Sequence, residues 1–299
     1  MLIKSADDRS QEIAELNGLL TETGLSETQK KKIRTKIRDT GKGAWGEEMA
    51  AYYLNFHFAS SESHLLLHDF RLVLTDGRTA QIDHLLINRF QDFYVLESKN
   101  WGQLTVDETG ACTTWAGRIV GVESPLEQCR RHAEVLAAAL QNAPQLKILA
   151  PRYQIIPRVL IAPSCHLKAP YHEEWYVKAD GFYSARAREI ENLSLMKSLM
   201  DLPRFTGKEA FMKLGGELAS LHHPQQFDWR SRFGVSPAPC TSVNELVLSI
   251  EGLAEFVPRS GKDWFVLQGK PTEETKRVLR SAGYRANREN SEWVWRLRK

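Results

Sequence analysis

"HLLLHDFRLVLTDGRTAQIDHLLINRFQDFYVLESKNWGQLTV", residues 64–106, contains three apolar runs, 65–74, 79–88 and 93–100, separated by "TDGR" and "RFQD". Turn residues at such short spacing predict three antiparallel strands in a meander. Asp83 interrupts the second run, in "QIDHLL", and Glu97 lies in the third, in "YVLESKNWG". Strand alternation puts Phe93, Val95, Glu97 and Lys99 on one face and Tyr94, Leu96 and Ser98 on the other. Glu97 and Lys99 therefore project the same way, roughly 7 Å apart. The second hairpin turns near residue 90 or 91, so Asp83 and Glu97 are expected to meet across it on one face.

Upstream, "GAWGEEMAAYYLNFHF" (43–58) predicts a helix, with Glu47, Ala50, Ala51, Leu54 and Phe58 along one stripe. Glu47 thus lies on the inward side, where a carboxylate is costly unless it is paired or binds a metal. Glu47, Asp83 and Glu97 in one pocket would repel one another strongly at low dielectric. A divalent cation relieves that repulsion, and Mg²⁺ favours a few carboxylate oxygens with water and phosphate oxygens completing its shell. Such a site suits phosphodiester hydrolysis, the metal polarising the phosphate and activating a water. Lys99 would orient or deprotonate that water, or neutralise the phosphorane; the residues leave these roles open.

Working outward, 5–20 and 26–39 read as two helices, with Ser26 as a cap for the second. "SPLEQCRRHAEVLAAALQ" (124–141) is a helix with Pro125 near its start. "IIPRVLIAPS" (155–164) is a buried strand, 175–184 a shorter one, and a helix follows near 185–200. The order α-β-β-β-α-β defines an α/β domain with its core at about 41–200. The Pro/Ser/Gly-rich "GVSPAPCTS" (234–242) reads as a linker. Beyond it come a strand ("DWFVLQG"), a helix ("TEETKRVLRSAG") and a hairpin. The expected organisation is a helical hairpin over 1–40, the α/β domain over 41–233 and a small α/β module over 243–299.

Of 299 residues, 42% are hydrophobic and 26% charged, as in a soluble globular protein. No segment approaches the roughly 18 apolar residues of a membrane span, and residues 1–20 lack signal-peptide features. The four cysteines, Cys112, Cys129, Cys165 and Cys240, form no CxxC pair, which fits a reducing cytoplasm and argues against a zinc knuckle. Net charge is +3 but uneven. Residues 28–42 carry seven Lys/Arg against one acid, and 246–299 carry eleven against seven. The rest is net negative, so two basic regions flank an acidic middle suited to holding cations.

The order "GxxGE" (Gly43, Gly46, Glu47), "QIDH" (Gln81–His84), then "ESKN" (Glu97–Asn100) with Gly102 resembles the nuclease-related domain family of the PD-(D/E)XK nuclease superfamily. "PLEQCRRH", with Pro125 and Gln128, extends the resemblance, which covers roughly residues 41–165. It implies a mixed central sheet flanked by helices and a metal-dependent nuclease, a phosphodiester hydrolase using Mg²⁺, with Mn²⁺ substituting. It further implies that Asp83 and Glu97 are metal ligands, Lys99 the catalytic lysine, Glu47 an additional acid and Gln128 an auxiliary residue facing the site. The "NWG" after the lysine departs from the pattern, and Trp101 there either stacks on a nucleotide or packs.

His84 points to the strand face opposite Asp83 and is expected to make a structural hydrogen bond. No zinc spacing, nucleophile–base pair or GxxxxGK[ST] loop appears. In the C-terminal module, Trp264, Phe265, Tyr284, Trp293 and Trp295 interleave with Arg280, Arg285, Arg288, Arg296 and Arg298. The aromatics suit either a small core or base stacking; Arg285, Arg288, Arg296 and Arg298 suit phosphate contacts. DNA is the expected partner. The rivals are an RNA-directed nuclease and a non-cleaving nucleic-acid-binding adaptor for a protein such as a helicase. The apolar positions Ile13, Leu16, Leu19 and Leu20 serve either a dimer interface or a cover for the sheet.

Overall fold

The computed structural model describes residues 1–22, 24–143, 146, 149, 153–168, 174–192, 201–225, 227–235, 259–260, 264–266, 272–281, 283–289 and 292–297. Their contacts form two units, residues 1–14 with 35–227, and residues 15–34 with 228–299.

The first unit contains strands β1 (Leu2–Lys4), β2 (His64–Val73), β3 (Thr79–Asn88), β4 (Asp92–Lys99), β5 (Gln103–Val106), β6 (Cys112–Trp115), β7 (Ile119–Val122), β8 (Gln154–Ile161), β9 (His166–Lys168) and β10 (Tyr176–Lys178). Helices α1 (Ser10–Leu20) and α2 (Glu27–Phe58) have residues in both units, while α3 (Pro125–Asn142), α4 (Phe182–Glu191) and α5 (Lys208–Ala219) belong to the first. Six strands make a mixed sheet in the order β1-β2-β3-β4-β8-β10. β2, β3 and β4 are the antiparallel meander, whereas β1 runs parallel to β2, and β8 parallel to both β4 and β10.

Local chemistry closes the meander. Gly77 takes the left-handed conformation (φ 87°) in the β2–β3 turn, where the Leu74 amide donates to the Arg78 carbonyl. At the β3–β4 turn the Asn88 side-chain oxygen accepts from the amides of Phe90 and Asp92. One sheet face packs on α3 and α5 through Leu67, Leu85, Val95, Leu136 and Phe211, and the other on α2 and α4 through Leu66, Leu86, Leu96, Leu54 and Phe182. The result is a helix–sheet–helix sandwich.

Two strands break alternation at the same place. On β2, Leu67 and Phe70 both face α3 and α5; on β3, Ile82 and Leu85 both do so. The ladder keeps one register across the break, from His68↔His84 to Phe70↔Ile82, so Asp69 and Asp83 sit opposite each other at the inversion. Asp69 carries φ 52°, a conformation uncommon outside glycine. Strict alternation read from the sequence does not anticipate this paired kink.

Two other expectations change, and a second sheet was not anticipated. The helices expected at 26–39 and from 43 are one helix, α2. Gly41 and Gly43 each cost a helix only about 1 kcal/mol relative to alanine, too little to end it. The strand expected at 175–184 is three residues long and gives way to α4. A second sheet, in the order β7-β6-β5-β9, follows the meander; its strands of three or four residues are too short for a clear period-2 signal.

The second unit contains α6 (Trp229–Arg232), β11 (Arg259–Ser260), β12 (Trp264–Val266), α7 (Glu273–Ser281), β13 (Tyr284–Glu289) and β14 (Glu292–Leu297), with a sheet in the order β11-β12-β14-β13. Val266, Leu279, Tyr284, Val294 and Trp295 are buried, so Tyr284 and Trp295 are core residues of this small module. Most of the expected linker, residues 236–242, lies outside the described residues, as do Cys240 and the C-terminal part (193–200) of the helix expected near 185–200.

Candidate active site

The site lies where β4 ends. Extending the β3–β4 ladder by one step from His84↔Leu96 sets Asp83 opposite Glu97. One Asp83 carboxylate oxygen (Oδ2) accepts the Ser98 amide at 2.7 Å, tying the acid to the strand that bears Glu97. Glu97 is almost fully buried, at 2% exposure. Its Oε1 accepts from Lys99 Nζ at 2.5 Å. Its Oε2 is sealed from solvent and accepts no hydrogen bond; His132 Nδ1 on α3 lies 3.4 Å away and likewise makes none. Two buried polar atoms facing each other unsatisfied are rare and costly.

α2 brings Glu47 to the same strand end. The approach is close: a Cβ on Gly46 would stand 2.7 Å from Asn100 Cβ, so only glycine fits there. Glu47 does not stand free. Arg9 Nη2 donates to its Oε2 at 2.7 Å and Nη1 to its Oε1 at 3.4 Å. Arg9 Nη2 also lies 3.7 Å from Asp69 Oδ1. Asp69 is buried and accepts from the Gln81 side-chain amide and the Asp7 backbone amide.

The electrostatics record crowding. Burial, then Glu97 and Glu47, pushes the Asp83 carboxyl well above the ordinary carboxylate range. Burial raises Glu47 as well, with Asp69 and Glu97 adding to the shift and Arg9 opposing it. Burial pulls the Lys99 ammonium down, but Glu97, Asp83 and Glu47 together outweigh it and leave it above an ordinary lysine. Lys99 is therefore protonated at neutral pH. The three acids feel one another's charge, yet among the described residues no three His, Cys, Asp or Glu side chains form a ready-made metal cage. The donor set is hard oxygen, which suits Mg²⁺ or Mn²⁺, and the orphaned Glu97 Oε2 is the atom a cation would satisfy.

Beneath the site runs a buried polar chain. Ser98 Oγ lies 2.8 Å from His84 Nε2, His84 Nδ1 lies 2.7 Å from His68 Nδ1, and His68 Nε2 lies 3.1 Å from Asn55 Oδ1. Burial holds both imidazoles below the ordinary histidine range, His68 at about 4. His84 thus makes the structural hydrogen bond expected of it.

Of the other sequence candidates, Gln128 sits on α3 one turn before His132, on the same helix face, partly exposed. Trp101 is partly buried and packs against the cluster around the second sheet. Arg285 and Arg296 are exposed and paired across the β13–β14 ladder. Arg288 lies opposite Trp293 in that ladder, but neither side chain is among those described, and Arg298 lies outside the described residues. Sequence reading passed over Arg9, Asp69 and His132. His132 stood in the quoted "PLEQCRRH", four residues after Gln128, and that spacing was its one available signal. Asp69 interrupts the apolar run 65–74 and offered that signal, whereas Arg9 carries none, because its place depends on β1 and on the kink.

Residues 42–162 match the family model of the nuclease-related domain. No curated protein and no solved structure matches the chain.

Proposed function

Taking residues 42–162 as a nuclease-related domain, we propose that this chain is a Mg²⁺-dependent nuclease hydrolysing phosphodiester bonds in DNA. The observation that carries the reading is Glu97. Its Oε2 is buried and unsatisfied while its Oε1 holds a lysine, beside a second acid, Asp83, whose own charge is disfavoured. A fold keeps such an arrangement at a cost of several kcal/mol, which a bound cation offsets.

Asp83 and Glu97 would hold the ion, with Glu47 joining once it leaves Arg9. The ion, when bound, supplies Lewis acidity at a phosphate oxygen and a lowered pKa for water. Lys99, held protonated by Glu97, donates a hydrogen bond to the phosphate or the attacking water and neutralises charge that develops in the transition state. Gln128 and His132 line the α3 side, and Gln128 is free to orient water or substrate. Arg285 and Arg296 offer phosphate contacts on the C-terminal module.

Plasmid and linear DNA incubated with Mg²⁺ test the reading. Wild type cleaves, while Asp83→Ala and Lys99→Ala lose at least about a hundredfold in rate, the loss typical of removing one charge-stabilising group. Equal cleavage by all three sinks the assignment. The engagement of both Glu47 oxygens by Arg9 favours a second reading, a DNA-binding adaptor for a partner such as a helicase. That reading gains if binding is salt-dependent and no metal produces turnover.

A further inference from the structure

Arg9 reaches the acids from the edge of the sheet. Its segment leaves β1, which pairs with β2, and is pinned again by Lys4, whose Nζ donates to Asp7 Oδ1 at 2.7 Å, the His68 carbonyl at 3.0 Å and the Asp69 carbonyl at 3.1 Å. Asp69, in its unusual φ 52° backbone, is clamped by Gln81 and the Asp7 amide and offers Oδ1 to the guanidinium. Both Arg9 terminal nitrogens then engage both oxygens of Glu47. A fixed carboxylate on one side and a fixed segment on the other thus deliver a planar cation to the one acid of the three that α2 supplies.

A carboxylate whose two oxygens meet a guanidinium is poorly available to a metal, and the guanidinium charge repels a divalent ion nearby. Resting on the metal site of the previous section, we propose that Arg9 is a positioning residue, a resident counter-cation that holds Glu47 off the ion and thereby sets the divalent affinity of the site. The ion must displace Arg9 from Glu47 to gain that carboxylate. Arg9 then remains anchored by Asp69, ready to return when the ion leaves. Asp69, in this arrangement, serves Arg9 rather than the metal.

The test is Mn²⁺ binding by the full chain, followed by titration calorimetry and by the electron paramagnetic resonance of free Mn²⁺, so that no activity is needed. Arg9→Ala and Arg9→Gln are expected to bind Mn²⁺ at least about tenfold tighter than wild type, and Arg9→Lys, which keeps the charge, within about threefold of it. Arg9→Gln keeps the bulk of the side chain, so the result does not depend on the alanine variant folding well. Glu97→Gln provides the reference and is expected to bind more weakly. Neutral Arg9 variants that bind Mn²⁺ no tighter than wild type, while Glu97→Gln loses affinity, overturn the role of Arg9 alone. Binding unchanged by Glu97→Gln overturns the metal site itself, and Arg9's role with it.

Discussion

Asp83 and Glu97 each lie one step beyond His84↔Leu96, the pair that ends the β3–β4 ladder, and Asp83 accepts the amide of Ser98, the residue after Glu97. The contact fixes Asp83 where its negative charge is least welcome. Its folded pKa is raised, so the stability due to its neutral form is fully present below the unfolded carboxyl pKa and is lost as pH rises through the folded value. Asp83→Asn, which keeps an oxygen for the Ser98 amide, should therefore raise Tm at pH 7 by a few degrees and abolish cleavage. The gain should shrink toward zero below about pH 4, where the wild-type acid is neutral in both states. Thermal melts at several pH values check this, and a lower Tm at pH 7 refutes it.

Lys99 is the only cation whose ion pair to Glu97 does not depend on a histidine proton, among the described residues. Lys99→Met leaves a buried carboxylate without its pair and should cost about 3 kcal/mol, as breaking buried pairs typically does. Glu97→Gln in the same chain should recover most of that loss. Chemical denaturation of the single and double variants forms a double-mutant cycle, with an expected coupling of about 2 kcal/mol. Additive losses would mean that the two side chains do not act as a pair.

The meander, α3 and the Asp83/Glu97/Lys99 set were legible because they rest on period-2 alternation, turn residues and a hairpin midpoint, all local in sequence. Glu47 was legible as an inward acid on α2, but not its engagement, because Arg9 arrives from a segment 38 residues away along an edge strand of three residues. The kink at Asp69 and Asp83 hid in plain alternation: each strand inverts its faces once, and a pattern count sees only apolar residues on both sides. Residue type revealed which groups were costly to bury, whereas tertiary contacts decided which of them met.

Gly46 and Gly43 are both glycines inside α2, and they should respond oppositely to alanine. At Gly46 the new Cβ would lie 2.7 Å from Asn100 Cβ, and at Gly43 it would meet only Glu47 Oε1, at 3.8 Å. Gly43→Ala should stabilise the protein by about 0.5–1 kcal/mol through helix propensity. Gly46→Ala should destabilise it by about 1–3 kcal/mol, as overpacking does, and lower cleavage by moving Glu47 and the β4 end apart. Asn100→Gly, added to Gly46→Ala, removes the colliding atom and should restore part of both. Denaturation midpoints and cleavage rates of the four chains decide it; a neutral Gly46→Ala would mean that α2 does not need to pass so close.

His68 and His84 set the acid limit of the fold. Both are neutral when folded, since burial lowers His68 to about 4 and His84 well below its ordinary value. A lowered histidine pKa contributes stability that is intact above the unfolded value near 6.5 and is lost as pH falls toward the folded one. His68 alone should cost up to about 3 kcal/mol between pH 6.5 and 4. The loss should act at the site itself, because protonating His84 removes the acceptor for Ser98 Oγ on the strand between Glu97 and Lys99. A His68→Gln, His84→Gln chain has no imidazole to charge and should show a flatter stability profile over that range, even if it is less stable at pH 7. Urea midpoints measured from pH 7.5 to 4.5 in both chains test this. Parallel curves would assign the acid limit to other groups.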